Sequence, residues 1–461
     1  CAVNIQPWPL TSRMESILMP LPDTTYPKIA KSAAALLMSI LPCLAFAVTP
    51  TTFPDAAASD PAKLGWMVGS PPPPERTVRF ADGSYFQFPA MRWSVSNFRQ
   101  LMPTVNVSRG LGEPVALESA LRQDIDALSF TPLGAQQSMT WEQSLAATYT
   151  DGIVVLHRGK LVYERYFGVL GPQGQHAAMS VTKSVVGTLG ATLVAEGQID
   201  DNKRVVEYVP ELAGSAFGNA TVRQVLDMTT GLKFSEDYAD PKADVWAHGR
   251  AGSPLPFAKD YTGPRSYFEY LQTVQPQGEH GTAFAYKTVN TDVLGWIIAR
   301  ATGRNVAQLL SERIWSRLGA EQDGYFTVDS IGTPFAGGGL NTGLRDLARF
   351  GEMLRNDGRF NGQQIVPKAV IDDIRRGGDK QAFAKAGYDL LKGWSYRSMW
   401  WVTDKEGGAF MARGVYGQRI YVDPEAELVI VRYASHPVAA NAANDPVTLP
   451  AFEALARHLS R

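Results

Sequence analysis

Between residues 150 and 196 the hydrophobic period of the chain changes, and no other feature limits the fold as much. Gly152-Ile153-Val154-Val155-Leu156, a turn at His157-Arg158-Gly159-Lys160, and Leu161-Val162-Tyr163-Glu164-Arg165-Tyr166-Phe167 form two apolar runs around a Gly-marked reversal, the pattern of a β-hairpin. From 181 the period is helical: Val181, Val185, Val186, Leu189, Leu193 and Val194 share a face, and Gly197 stops the helix. Strand-like runs return at 399–402, 418–422 and 428–433, before a closing helix over 450–458. Strands at both ends with helical sequence between them predict an α/β fold of the α+β type. Its antiparallel sheet, built from about 110–180 and 395–461, is flanked by helices and carries a mainly helical insertion over about 181–394.

The N-terminal part reads differently. Lys28 and Lys31 precede an apolar run over 33–44, and Ala45-Phe46-Ala47 follows as a small-residue exit. This predicts a signal peptide cleaved after Ala47, with the upstream residues included in 1–47, and hence a secreted or periplasmic protein. The run is short for a membrane span, so none is expected after cleavage. Cys1 and Cys43 are the only cysteines, and cleavage removes both. The remaining chain then has no disulfide, no cysteine-ligated metal and no cysteine nucleophile. Residues 48–75, with Pro50 and the run Pro71 to Pro74, read as an irregular leader. Phe80, Tyr85, Phe86, Phe88, Trp93 and Phe98 predict that 76–110 wraps onto the main body. A formal net charge of −1 argues against nucleic-acid binding, and 45% hydrophobic residues suffice for a substantial core.

Three groups of residues could carry chemistry. Ser180-Val181-Thr182-Lys183 lies where the hairpin gives way to the helix, and three-residue spacing puts Lys183 one turn below Ser180. A buried lysine can fall toward neutrality and serve as the base that a serine nucleophile needs. At a helix N-terminus the Ser180 N–H is also free to face an oxyanion. Taken alone, the same pattern fits a capping serine before an amphipathic helix with an exposed lysine. Tyr286, just before a helix around 293–298, could act as a base or proton relay if a nearby ammonium favours its anion. Gly414-Val415-Tyr416-Gly417 opens a strand where backbone can approach a ligand, and an N–H there could complete an oxyanion hole. No G-x-S-x-G elbow, H-E-x-x-H pair, P-loop or dinucleotide fingerprint occurs. No metal or organic cofactor is implied.

Together these residues resemble the class C β-lactamase and penicillin-binding-protein-like family, and within it the nylon-oligomer (6-aminohexanoate-dimer) hydrolase and carboxylesterase branch. The stretches that carry the resemblance run in order from about Gly65 to the C-terminus. They include Arg92-Trp93-Ser94, Met179-Ser180-Val181-Thr182-Lys183-Ser184, Glu207-Tyr208-Val209-Pro210-Glu211-Leu212, Asn290-Thr291-Asp292-Val293-Leu294-Gly295-Trp296 and Gly417-Gln418. The resemblance implies a β-lactamase-like hydrolase domain over 76–461. Ser180 would be the acylated nucleophile, with Lys183 and Tyr286 sharing the proton work. The N–H groups of Ser180 and Val415 would form the oxyanion hole, and Tyr238 would line the substrate pocket. The family's Lys-Thr-Gly triplet is absent. Arg413-Gly414-Val415 stands there, so Arg413 and Gly414 are candidate substrate contacts and Arg413 could supply the missing charge. Gly249 and Gly337 fall where efficient nylon-oligomer hydrolases have Asp and Asn, which weakens the expectation of amide-dimer cleavage. The expectation is a secreted serine hydrolase acting on a small ester or amide. A β-lactamase or D-Ala-D-Ala peptidase, and a catalytically silent binding module on the same fold, are the alternatives.

Overall fold

The computed structural model describes residues 53–461, and the expected signal peptide, both cysteines and the start of the leader lie outside the described residues. The chain runs through strand β1 (Thr104–Val107), helix α1 (Trp141–Ala147), the hairpin β2 (Thr150–His157) and β3 (Lys160–Tyr166), strand β4 (Gln175–Ala177) and helix α2 (Val181–Ala195). Helix α3 (Val289–Thr302), strands β5 (Gly324–Thr327) and β6 (Leu340–Gly343) and helix α4 (Leu344–Arg355) follow. Strands β7 (Ser395–Arg397), β8 (Trp400–Val402), β9 (Phe410–Gly414), β10 (Gln418–Asp423) and β11 (Leu428–Ala434) lead to the closing helix α5 (Asp445–Leu459).

The main sheet has seven strands in the order β7-β8-β9-β10-β11-β2-β3, all antiparallel. The hairpin read from the sequence therefore sits at one edge and pairs through β2 with β11, about 270 residues later in the chain, with Val431 opposite Val154. The pleat sends Ile420 and Val429 toward Gly351 of α4, while Tyr421 on the other face meets Phe452 of α5, which also packs on Trp141 of α1. Both faces are covered, which explains why β2 and β11 are apolar almost throughout instead of alternating.

A second sheet was not expected. β5 and β6 fall inside the supposed helical insertion and join β1 and β4 in the order β1-β5-β6-β4. Each is four residues or shorter in pattern, and their partners lie far away in sequence, so local periodicity carries no sign of them. The pairing of β1 with β5 also brings the aromatic segment onto the body, as the sequence predicted. Its anchor is Arg92, 2% exposed, which donates to Ser435 Oγ at 3.0 Å, the Ala56 carbonyl at 2.6 Å and Ser59 Oγ at 3.0 Å, and pairs with Asp151 at 3.3 Å.

Helix α2 is buried all round, not on one face alone. Its polar residues are small and satisfied locally: Thr188 and Thr192 donate to the carbonyls of Ser184 and Thr188, and Ser184 donates to the Met399 carbonyl. Trp400 in turn donates its indole N–H to Thr188 Oγ1 at 3.0 Å. Close approach to the sheet requires Gly187, where an added Cβ would lie 2.4 Å from the Ser398 carbonyl oxygen. A Gly187→Ala substitution gains about 1 kcal/mol of helix propensity but forces backbone apart, at about 1–3 kcal/mol for overpacking. The expected net result is a lower urea midpoint with an unchanged slope.

Candidate active site

Ser180 stands at the N-terminus of α2, immediately after Met179, whose φ of +47° turns the chain sharply between β4 and the helix. The serine side chain makes no capping hydrogen bond. Its Oγ instead receives Lys183 Nζ at 2.7 Å, and the same Nζ donates to the Gly337 carbonyl at 2.7 Å. The capping-serine reading with an exposed lysine is thereby excluded, because Lys183 is only 1% exposed. Burial pulls its pKa down to about 8, against the opposing pull of the Glu236 and Asp292 carboxylates.

Tyr286 lies across from this pair, with Lys183 Nζ 5.2 Å from its ring centroid. The sequence reading weighed a neighbouring ammonium that would favour the phenolate. Burial raises the phenol pKa instead, Glu236 adds to the rise, and the hydrogen bond with Ser180 only partly offsets it. Tyr286 therefore stays a phenol. The sequence gave no sign of Glu236 as a partner, since the carboxylate reaches this place only through tertiary packing. There it accepts from Thr288 N at 2.7 Å, Thr288 Oγ1 at 2.5 Å and the Tyr238 hydroxyl at 3.1 Å.

Val415 closes the opposite side. It follows β9, and Tyr416 after it is again left-handed, with φ of +63°. Met179 and Tyr416 share one small cluster with Met91, Val95, Phe98, Ala177 and Tyr325, so the aromatic N-terminal segment packs on both turns. Gly414 does not line a cavity, contrary to its expected place as a substrate contact. It is buried, and a Cβ there would lie 3.0 Å from the Ala178 carbonyl oxygen, so its smallness lets β9 close on the turn before Ser180.

Ser180, Tyr238 and Val415 line two cavities, one on either side of the serine. The first, about 450 Å³, also has Tyr286, Glu236, Trp401 and Arg413 in its wall. Arg413 is 5% exposed, stacks over Trp401 with 4.7 Å to the ring centroid and pairs with Asp445, while its Nε and Nη1 have no partner. The second, about 640 Å³, is lined by Lys183 and by aromatics of the N-terminal segment. Among the described residues no cluster of three or more His, Cys, Asp or Glu could hold a metal ion, and no helix is long and apolar enough to cross a membrane.

Behind Lys183 lies a support that the sequence reading did not single out. The Gly337 N–H donates to Asp292 Oδ1 at 2.9 Å, and Asp292 Oδ2 lies 3.0 Å from Nε2 of the buried His248. Asp292 sits within the quoted Asn290-to-Trp296 stretch, but its partners come from 45 residues away on each side, give or take a few, and spacing could not supply them.

An all-antiparallel sheet with a wholly buried helix against it, opening on a serine held by a buried lysine one turn below, defines a β-lactamase-like hydrolase of the serine class. The chain belongs to the beta-lactamase family, whose sequence model matches residues 140–450. It is 34% identical over 390 residues to the 6-aminohexanoate-dimer hydrolase of Paenarthrobacter ureafaciens, covering 84% of this chain and 91% of that protein. Among solved structures, a Bacillus anthracis protein assigned as a 6-aminohexanoate-dimer hydrolase matches with a TM-score of 0.74 at 32% identity, over 81% of this chain and 96% of that one. EstCE1, a hydrolase with promiscuous acyltransferase activity, matches with a TM-score of 0.55 over 68% of this chain and 96% of that one; at 16% identity the likeness is one of fold.

The Asp292 support generates a prediction. Asp292→Ala should free the Gly337 carbonyl and let Lys183 Nζ shift from Ser180, lowering kcat/KM for an ester by about tenfold to a hundredfold. Asp292→Asn, which retains an acceptor for Gly337 N–H, should recover most of that loss in the same assay.

Proposed function

We propose that the protein hydrolyses a small ester, and an amide more slowly, through an acyl-enzyme on Ser180. The observation that carries this reading is the 2.7 Å contact between Ser180 Oγ and a lysine whose pKa is pulled down to about 8. Neutral Lys183 takes the Ser180 proton as Oγ attacks the substrate carbonyl. The oxyanion is held by the N–H groups of Ser180 and Val415. Tyr286, still a phenol, gives its proton to the leaving alkoxide and regains one from the Lys183 ammonium. Water then attacks the acyl-serine ester, losing a proton to the same pair, and the acid leaves. An alkoxide needs less protonation than an amine to depart, and Gly249 and Gly337 stand where the resemblance expects Asp and Asn in efficient amide hydrolases, so ester is the preferred substrate. Tyr238 and Arg413 contact the substrate in this scheme. Export is part of the reading and rests on the Lys28-to-Ala47 segment alone.

The test is intact mass after treatment with an active-site-directed fluorophosphonate. Wild type should gain one adduct, and Ser180→Ala should gain none and lose ester turnover. Labelling of neither would overturn the reading. The lysine sets the pH dependence. Only its neutral form accepts a proton, so kcat/KM should fall about tenfold per pH unit below about 8 and level off above it. A profile flat from pH 6 to 9 would exclude Lys183 as the base.

One observation favours a second reading, a β-lactamase or D-Ala-D-Ala peptidase: the two unpartnered nitrogens of Arg413 beside the first cavity suit a substrate carboxylate. A penicillin that acylates Ser180 and releases slowly, seen as a stable mass increment, would support it.

A further inference from the structure

The two cavities flanking Ser180 differ in which proton-carrying group they contain. Tyr286 lines the 450 Å³ cavity and not the other, whereas Lys183 lines the 640 Å³ cavity and not the first. A leaving oxygen must lie beside the group that protonates it, and Tyr286 is the one held as a phenol. The departing alcohol therefore belongs on the Tyr286 side, and the acyl group must extend the other way, since the carbonyl carbon sits between them. The larger cavity has the character of a bed for an uncharged group. Its wall includes Phe80, Tyr85, Phe86, Phe98, Trp246 and Phe335, and no Asp or Glu lines it. Of its cationic side chains Lys183 is engaged with Ser180 and Gly337, and Arg250 is exposed at the rim. His248 faces Asp292.

We propose that the 640 Å³ cavity is the acyl-group pocket and that it selects a bulky, uncharged, aromatic or branched acyl chain, with the segment Phe80 to Phe98 as its specificity wall. The proposal rests on the acyl-enzyme reading above. An acyl chain ending in an ammonium would lose its hydration there without meeting a carboxylate, next to Lys183 and Arg250. A phenyl ring would instead bury apolar surface among aromatic edges and faces. The segment that reads from sequence as a mere wrapping thus bears on substrate choice.

The experiment measures kcat/KM for the p-nitrophenyl esters of acetic, phenylacetic and 6-aminohexanoic acids, each divided by its hydroxide rate. The phenylacetyl ester should exceed both others by about tenfold or more, the scale on which apolar pockets discriminate. Phe86→Ala, and Leu255→Trp at the rim of the same cavity, should each lower the phenylacetyl-to-acetyl ratio by about fivefold or more. The ratio is the readout because loss of folded protein lowers both rates alike, and the wild-type series is decisive by itself. Equal rates for the three acids would overturn the acyl pocket while fluorophosphonate labelling of Ser180 still upheld the acyl-enzyme. Absence of labelling would overturn both. A change in the preference between methyl and benzyl acetate, with the acyl ratio unmoved, would place the alcohol in this cavity and overturn the assignment.

Discussion

A lysine ammonium buried at the foot of a cavity is costly unless its surroundings are built for it, and much of this protein is that surrounding. Lys183 meets Ser180 Oγ and the Gly337 carbonyl, with the Glu236 and Asp292 carboxylates near enough to hold part of its charge. Removing water pulls the pKa down, and the two carboxylates stop it from falling further. The balance at about 8 leaves a useful neutral fraction near physiological pH while the protonated form remains available to return a proton. The burial requires a helix covered on every side. That in turn requires the Ser, Thr and Gly residues of α2, which satisfy their own polar groups or leave room for the sheet.

Two left-handed residues sit at the points where backbone N–H groups are presented to the cavities. Met179 precedes Ser180, and Tyr416 follows Val415. Left-handed backbone at a non-glycine residue costs about 1–2 kcal/mol and persists only where the surroundings over-determine it. Here the surroundings are one cluster that includes Met91, Val95 and Phe98, so the N-terminal segment and the two turns hold one another in place. Arg92, buried among Ser435, Ser59 and Asp151, ties that segment to the end of β11 and the start of β2. Substrate shape, backbone strain and chain entry thus meet in one short stretch before the main hydrolase body begins.

Legibility in the sequence followed the range of the interactions. The hairpin, α2, β10 and β11 were read within a residue or two because alternation and helical period are local. β5 and β6 were missed because each is short and takes its meaning from partners more than a hundred residues away on one side. Ser180, Lys183 and Tyr286 could be proposed together from their order and the family resemblance, and the structure brings them together. Tyr286 was assigned the wrong tendency because Glu236, 50 residues earlier, could not be seen as its neighbour. Gly414 was expected at the ligand and instead serves the contact between β9 and the turn before Ser180.

The sequence alone determined the spacing that puts Lys183 one turn below Ser180, the switch from strand to helix at that point, and the family. These depend on the geometry of a few consecutive residues. Only the tertiary structure decided which way Lys183 and Tyr286 are pushed, how Asp292 supports Gly337, and where the two cavities lie. Those properties come from desolvation and from charges contributed by distant segments, and neither exists until the chain has packed.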